Sequence, residues 1–139
     1  MAQLPRIGII GYGYIGKTLV ERISADDCAL ELAFVYNRSP EKLSDIDPEL
    51  IVTDLAEVAD FNADLIVETA HPGITADYGV SFLTHSNYLP LSTTALVDDD
   101  LRAALANTAT ANSTRLYLAA GALVGGSALM MRRDQWRDV

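Results

Sequence analysis

The chain has 139 residues, half of them hydrophobic, and carries a formal charge of -9 from 19 acidic against 10 basic side chains. That length suits one domain with a substantial core and is short for two, and an acidic balance without a Lys/Arg cluster leaves no positive field to attract nucleic acid or an anionic membrane. The lone Cys28 has no partner for a disulfide or a metal site, and the opening MAQLPRIGII fits neither a cleavable signal nor a membrane span, so the expectation is a cytoplasmic protein without metal.

Apolar runs and helical patterns alternate along the chain, with no internal repeat. The first run, residues 7–10, leads into the glycines of GYGYIG, after which Ile15, Leu19, Val20 and Ile23 fall at helical spacing. A second run at 32–36 ends in NRSP, and a connector holding residues 43–60 separates it from a third run at 65–67. Pro72-Gly73 opens a helical segment over 74–85, followed by an apolar run at 88–91. Residues 98–111 read as a helix whose leading aspartates supply the N-cap and complement the helix dipole, and a last run lies at 116–118. These short runs, rich in Ile, Val, Leu and Tyr, lack strict polar alternation, as buried parallel strands do. The order βαβ, connector, βαβαβ therefore predicts an α/β fold: a Rossmann-type doubly wound parallel sheet in a single domain, with helices on both faces.

GYGYIG places Gly11, Gly13 and Gly16 in G-x-G-x-x-G spacing, directly after one strand and directly before a helix. In that setting the first glycine permits the tight turn, the second lets backbone approach a pyrophosphate, and the third lets helix pack closely on strand. The free amides at the helix start favour the phosphate charge. An NAD-selective site holds the ribose with an acidic residue about 20 positions further on. FVYNRSP instead offers Asn37 for a ribose hydroxyl and Arg38 and Ser39 for a 2′-phosphate, which points to NADP at least as well as NAD.

DLIVETAHPG follows a buried strand and so belongs to the edge of the sheet where such folds present their ligand crevice. Glu68 and His71 are paired ionisable groups there. An acid–base pair is one reading; Glu68 is instead expected to brace backbone amides, and His71 stays open between lining a site and shaping the loop. His85 is expected at the surface.

Four blocks in order, GYGYIGKTLVERI, ELAFVYNRSPEKL, DLIVETAHPGITADYGVSFL and LSTTALVDD followed later by LYLAAGALVGG, make residues 7–126 resemble the aspartate dehydrogenase family, including the animal aspartate dehydrogenase domain-containing proteins. The first block is shared by many dinucleotide-binding chains; VETAHP, STTALVD and GALVGG together are far more specific. The resemblance implies an NAD(P)-dependent oxidoreductase acting on L-aspartate, commonly a dimer, with a substrate domain after the dinucleotide domain. It also implies Gly11, Tyr14 and Ile15 at the pyrophosphate turn and Asn37 and Arg38 at the ribose. Ala70, His71, Pro72, Ser92 and Thr93 would lie on the nicotinamide side, with Gly121 and Ala122 at the junction with substrate.

This sequence departs from the family in having Ala119-Ala120 where a Pro-Ser pair is common. The expected division is a dinucleotide-binding domain over 1–122 and the start of a segment toward the substrate domain over 123–139. The family's catalytic histidine belongs to that further domain, so no residue here is given a catalytic role. Arg132, Arg133 and Arg137 are expected to be solvated, and Leu123, Val124, Leu129 and Trp136 to need cover. A dinucleotide-binding module without catalysis is the second reading of the same residues.

Overall fold

The computed structural model describes residues 3–25 and 27–119. Among them lie the strands β1 (Arg6–Ile10), β2 (Glu31–Tyr36), β3 (Ile51–Val52), β4 (Leu65–Glu68) and β5 (Asn87–Pro90). The α-helices are α1 (Tyr14–Ile23), α2 (Pro72–Phe82) and α3 (Asp99–Asn112). The sheet order is β3-β2-β1-β4-β5 and every neighbouring pair is parallel. The chain begins at the centre, winds outward through β2 and β3, then returns to the other side of β1. That reversal is the topological switch point of a Rossmann-type sheet, where ligands gather at the carboxyl ends of the strands.

Register brings those ends level. Ile10 lies opposite both Tyr36 and Glu68, and Glu68 lies opposite Pro90. The loops leaving the four strands therefore emerge along one edge.

Side-chain alternation divides the interior into two layers. Ile7 and Ile9 of β1 join Val35, Val67 and the Val20 and Ile23 stripe of α1. Ile10, Phe34, Ile66 and Tyr88 face the other way and meet Phe82 and Leu83 from the α2 end and Leu105 of α3. Helices thus cover both faces, as the alternating pattern requires. On the α1 side the cladding is thinner over β4 and β5: Leu65 and Val67 border an apolar cavity of about 220 Å³, and Leu65 and Leu89 one of about 530 Å³.

The structure differs from the sequence reading in three places. The connector over 43–60 contains β3, paired with Val35 and Tyr36, between 3₁₀ turns at Pro48–Leu50 and Leu55–Phe61. The helix expected to reach residue 85 ends at Phe82, because the amides of Thr84 and His85 turn back to the carbonyls of Ser81 and Phe82. The run at 116–118 forms a single parallel bridge, Leu116 to Tyr88, held by Tyr88 N–H to the Arg115 carbonyl at 2.9 Å and Tyr117 N–H to the Tyr88 carbonyl at 2.8 Å. Cys28, expected to be without a partner, is half-buried and free. The expected boundary at 122 and the residues Leu123, Val124, Leu129, Arg132, Arg133, Trp136 and Arg137 lie outside the described residues.

Candidate functional site

The turn between β1 and α1 is fixed from both sides. Gly11 has φ +99, a backbone region open chiefly to glycine, and a Cβ there would stand 2.9 Å from both Ala70 Cβ and Thr69 Oγ1. Its amide donates to the Tyr36 carbonyl at 2.8 Å, while Thr69 Oγ1 donates to the carbonyls of Ile10 and Gly11 at 3.1 and 3.0 Å. Gly16 is buried against this turn. Gly13 is different: its φ of -84 and ψ of -162 suit any residue, and a Cβ built on it meets no atom within 4 Å. The fold does not demand glycine there. What the missing side chain does is keep open the space before the first turn of α1, which no side chain caps. Unpaired amides at a helix start facing open space form an anion site. Tyr14 and Ile15, which open the helix, are 90% and 51% exposed.

That space continues into a cavity of about 320 Å³ between the glycine turn, the end of β2 and the end of β4. Arg38 lines it, and so does Lys42 from the 3₁₀ turn Pro40–Leu43. The sequence reading missed Lys42; a second cation four residues after Arg38 was the available signal. Neither cation pairs with a carboxylate among the described residues.

Asn37 lines the same cavity; its Oδ1 accepts the Tyr12 amide at 3.0 Å and its Nδ2 donates to the Ser39 carbonyl at 3.0 Å, so the side-chain amide ties the β2 loop to the glycine turn and uses one of its two N–H donors in doing so. Ser39 is the N-cap of the 3₁₀ turn, and its carbonyl also accepts the Lys42 amide at 3.1 Å; it is not among the residues lining the cavity. Tyr12, between the two glycines, packs inward and donates its hydroxyl to Asp45 at 3.0 Å. Burial, reinforced by the hydrogen bond and charge of Asp45, pushes its hydroxyl from 10.0 up to about 12.

Toward β5 the wall is built by Ala70 and His71, both at the cavity surface. Glu68 does not meet the His71 imidazole. Its carboxylate is fully buried and accepts the amides of Ala70 and His71, the brace expected from the sequence. His71 caps α2 through Nδ1, which accepts the Gly73 amide at 3.0 Å; a neutral ring then carries its proton on Nε2. Pro72 occupies the first turn of α2, where its missing N–H is no loss. The Ser92 amide and Oγ both donate to Glu68, at 3.2 and 3.0 Å. Thr93 opens the exposed start of the 3₁₀ turn Thr93–Val97. Gly121 and Ala122 lie outside the described residues.

The chain is similar to known proteins in sequence and in fold. The family model described as the homoserine dehydrogenase NAD-binding domain matches residues 11–119. An aspartate dehydrogenase domain-containing protein of Xenopus tropicalis is 47% identical over 123 residues, which are 86% of this chain and 43% of that protein. One from Danio rerio is 40% identical over 132 residues, 93% of this chain and 48% of its own length. The crystal structure of aspartate dehydrogenase from Thermotoga maritima superposes with a TM-score of 0.72 at 25% identity, over 96% of this chain and 52% of that one. The chain thus spans about half the length of the relatives it matches. It belongs to the NAD-binding domain family described for homoserine dehydrogenase, and within that family it is homologous to the aspartate dehydrogenase domain-containing proteins.

Proposed function

We propose that this chain is the cofactor-holding part of an NAD(P)-dependent oxidoreductase of the aspartate dehydrogenase type, with L-aspartate as the substrate of the whole enzyme. The observation that carries the reading is Gly13, a glycine whose own fold asks for no glycine and whose bare position opens the cavity at the start of α1. A nicotinamide dinucleotide, when bound, supplies a ring that accepts or donates hydride. The amides of Tyr14, Ile15 and Gly16 would hold its pyrophosphate. Arg38 and Lys42 would take a ribose 2′-phosphate, since the residues following β2 supply two cations to the cavity and no acid; this favours NADP. Ala70, His71 and Pro72, with Ser92 and Thr93 beyond them, would border the other half of the cofactor. His71 would offer Nε2–H, its Nδ1 being committed to Gly73.

Aspartate must also be held against the nicotinamide in a defined orientation, and positioning supplies a large part of such a rate. No residue among those described combines aspartate-orienting and proton-handling roles, so we assign that work to the part of the relatives' length that this chain does not span. The acidic charge and the single unpaired cysteine support a cytoplasmic setting, and a homodimer is the assembly we expect of the whole enzyme.

Calorimetric titration with NADPH, NADP⁺ and NAD⁺, followed by an absorbance assay for aspartate-dependent cofactor reduction, tests this. The chain alone should bind NADP(H) at least as tightly as NAD(H) and show no turnover, whereas the chain joined to the remaining half of a relative should turn over. Absence of binding to every dinucleotide would remove the reading.

A further inference from the structure

Glu68 ends β4 with 0% of its surface exposed, beside the buried Tyr88, and no lysine or arginine pairs with it among the described residues. A buried carboxylate without a counter-ion persists only where hydrogen bonds replace its water. Here four donors do so. The Ala70 and His71 amides and Ser92 Oγ converge on Oε1, and the Ser92 amide reaches Oε2 at 3.2 Å. An apolar side chain at this strand end would avoid the desolvation cost, but it would leave those donors unpaired.

The donors come from two separate loops. Ala70 and His71 follow β4 and line the cavity, while Ser92 follows β5. Among the described residues, the hydrogen bonds that link these two loops beyond the sheet ladder are the Leu91 amide to the Glu68 carbonyl at 2.9 Å and those of this one carboxylate. Arg38 and Lys42 stand at the β2 end and the glycine turn lies between, so a dinucleotide placed with its adenosine on the cations has its other half directed toward these two loops.

We infer that Glu68 is a positioning residue for the nicotinamide half of the cofactor, clamping the β4 and β5 loops into one preformed wall. This rests on the dinucleotide reading above. An acceptor-only group is required because all four partners donate. Glutamine at 68 could keep Oε1 and its three bonds, but its NH₂ would confront the Ser92 amide, donor against donor, and release the β5 loop. Preorganisation of this kind acts on affinity by sparing the ligand the ordering of the wall.

The test divides the cofactor. Glu68→Gln and wild type are titrated with NADPH and with adenosine 2′,5′-bisphosphate, which carries the adenosine half alone, using amide chemical shifts to read weak binding. The variant should bind NADPH roughly tenfold or more weakly, by loss of preorganisation, and adenosine 2′,5′-bisphosphate unchanged. In the free variant, shift changes should centre on the loops after β4 and β5. Equal weakening of both ligands would mean a merely structural role and overturn the inference, as would unchanged affinity for NADPH. If Glu68→Gln fails to fold, Ser92→Ala, which removes one donor and leaves the carboxylate satisfied by three, should show the same selective loss at smaller size; no selective loss there overturns the inference. A wild-type chain that binds neither ligand would instead reject the dinucleotide reading, and the inference with it.

Discussion

A Cβ on Gly16 would lie 1.9 Å from the carbonyl oxygen of Gly11, so the fold itself excludes a side chain at Gly16, as the φ of +99 and the closeness of Ala70 and Thr69 exclude one at Gly11. Gly13, set between them, has no such neighbour. The three glycines of one motif therefore separate into two that build the turn and one that leaves room beside it.

Gly16→Ala should accordingly lose about 3 kcal/mol of stability or more, because backbone cannot yield as a flexible side chain does. Gly13→Val should fold with a loss of about 1 kcal/mol, the difference between a fair and a poor helix N-cap. Its dinucleotide affinity should nevertheless fall below detection in calorimetry. Urea unfolding of both variants checks the first pair of values, and unaltered binding by Gly13→Val would exclude the turn from the site.

Arg38 and Lys42 share one cavity without carboxylate partners among the described residues. Replacing either by alanine should weaken NADPH by about 1.5–3 kcal/mol, the scale of a charge-assisted contact. NADH should be nearly unaffected. Parallel titrations with the two reduced cofactors read the difference, and equal losses for both would move the cations away from the 2′-phosphate.

Tyr12 sets an alkaline limit. Burial first, then Asp45, holds its hydroxyl at about 12 in the folded chain against 10.0 in the unfolded one. Between those values the native state binds the extra proton, so the stability due to this group is complete below pH 10 and is lost as pH rises toward 12. Unfolding free energies measured across that window should fall more steeply for wild type than for Tyr12→Phe. Parallel slopes would show that the hydroxyl is not protected.

Inside the α2–α3 layer, the Thr75 hydroxyl and the Tyr88 hydroxyl lie 2.8 Å apart, both fully buried. Thr75→Val and Tyr88→Phe should each cost about 1–3 kcal/mol by stranding a buried polar partner. The double variant should cost less than the sum of the two. Strict additivity in chemical denaturation would deny the bond its energetic role.

The sequence showed the strand–glycine–helix unit plainly because Ile7 to Ile10, the three glycines and the Ile15, Leu19, Val20, Ile23 stripe each obey a short-range rule that tertiary contacts do not override. Its limits have equally physical causes. Ile51 and Val52 are too few to display any period, and only the edge of β2 makes them a strand. Spacing along a chain also carries no information about which way a side chain turns: nothing in NRSP reveals that the Asn37 amide, at the cavity, also bonds Tyr12 and Ser39. Lys42 reached the cavity only because Pro40 starts a 3₁₀ turn that carries it there. Glu68 could be expected to brace amides, but the identity of Ser92 as the distant donor depended on β4 and β5 lying side by side.

The parallel arrangement of every strand pair has a consequence in time. No two strands of the described sheet are joined by a hairpin, so none of its ladders can form from chain-adjacent residues alone. Of these strands β1 is made first and waits: its partner β2 arrives only after α1 has been made, and its other partner β4 only after the whole stretch from Gly11 to Asp64. Until then one edge of this isoleucine-rich strand is bare, and non-local strand pairing of this kind is slow compared with helix formation. The interval between synthesis of Ile10 and of Glu68 is thus the period in which the nascent chain is most open to wrong pairing, and a factor that shields Ile7, Ile9 and Ile10 during it should raise the yield of folded protein.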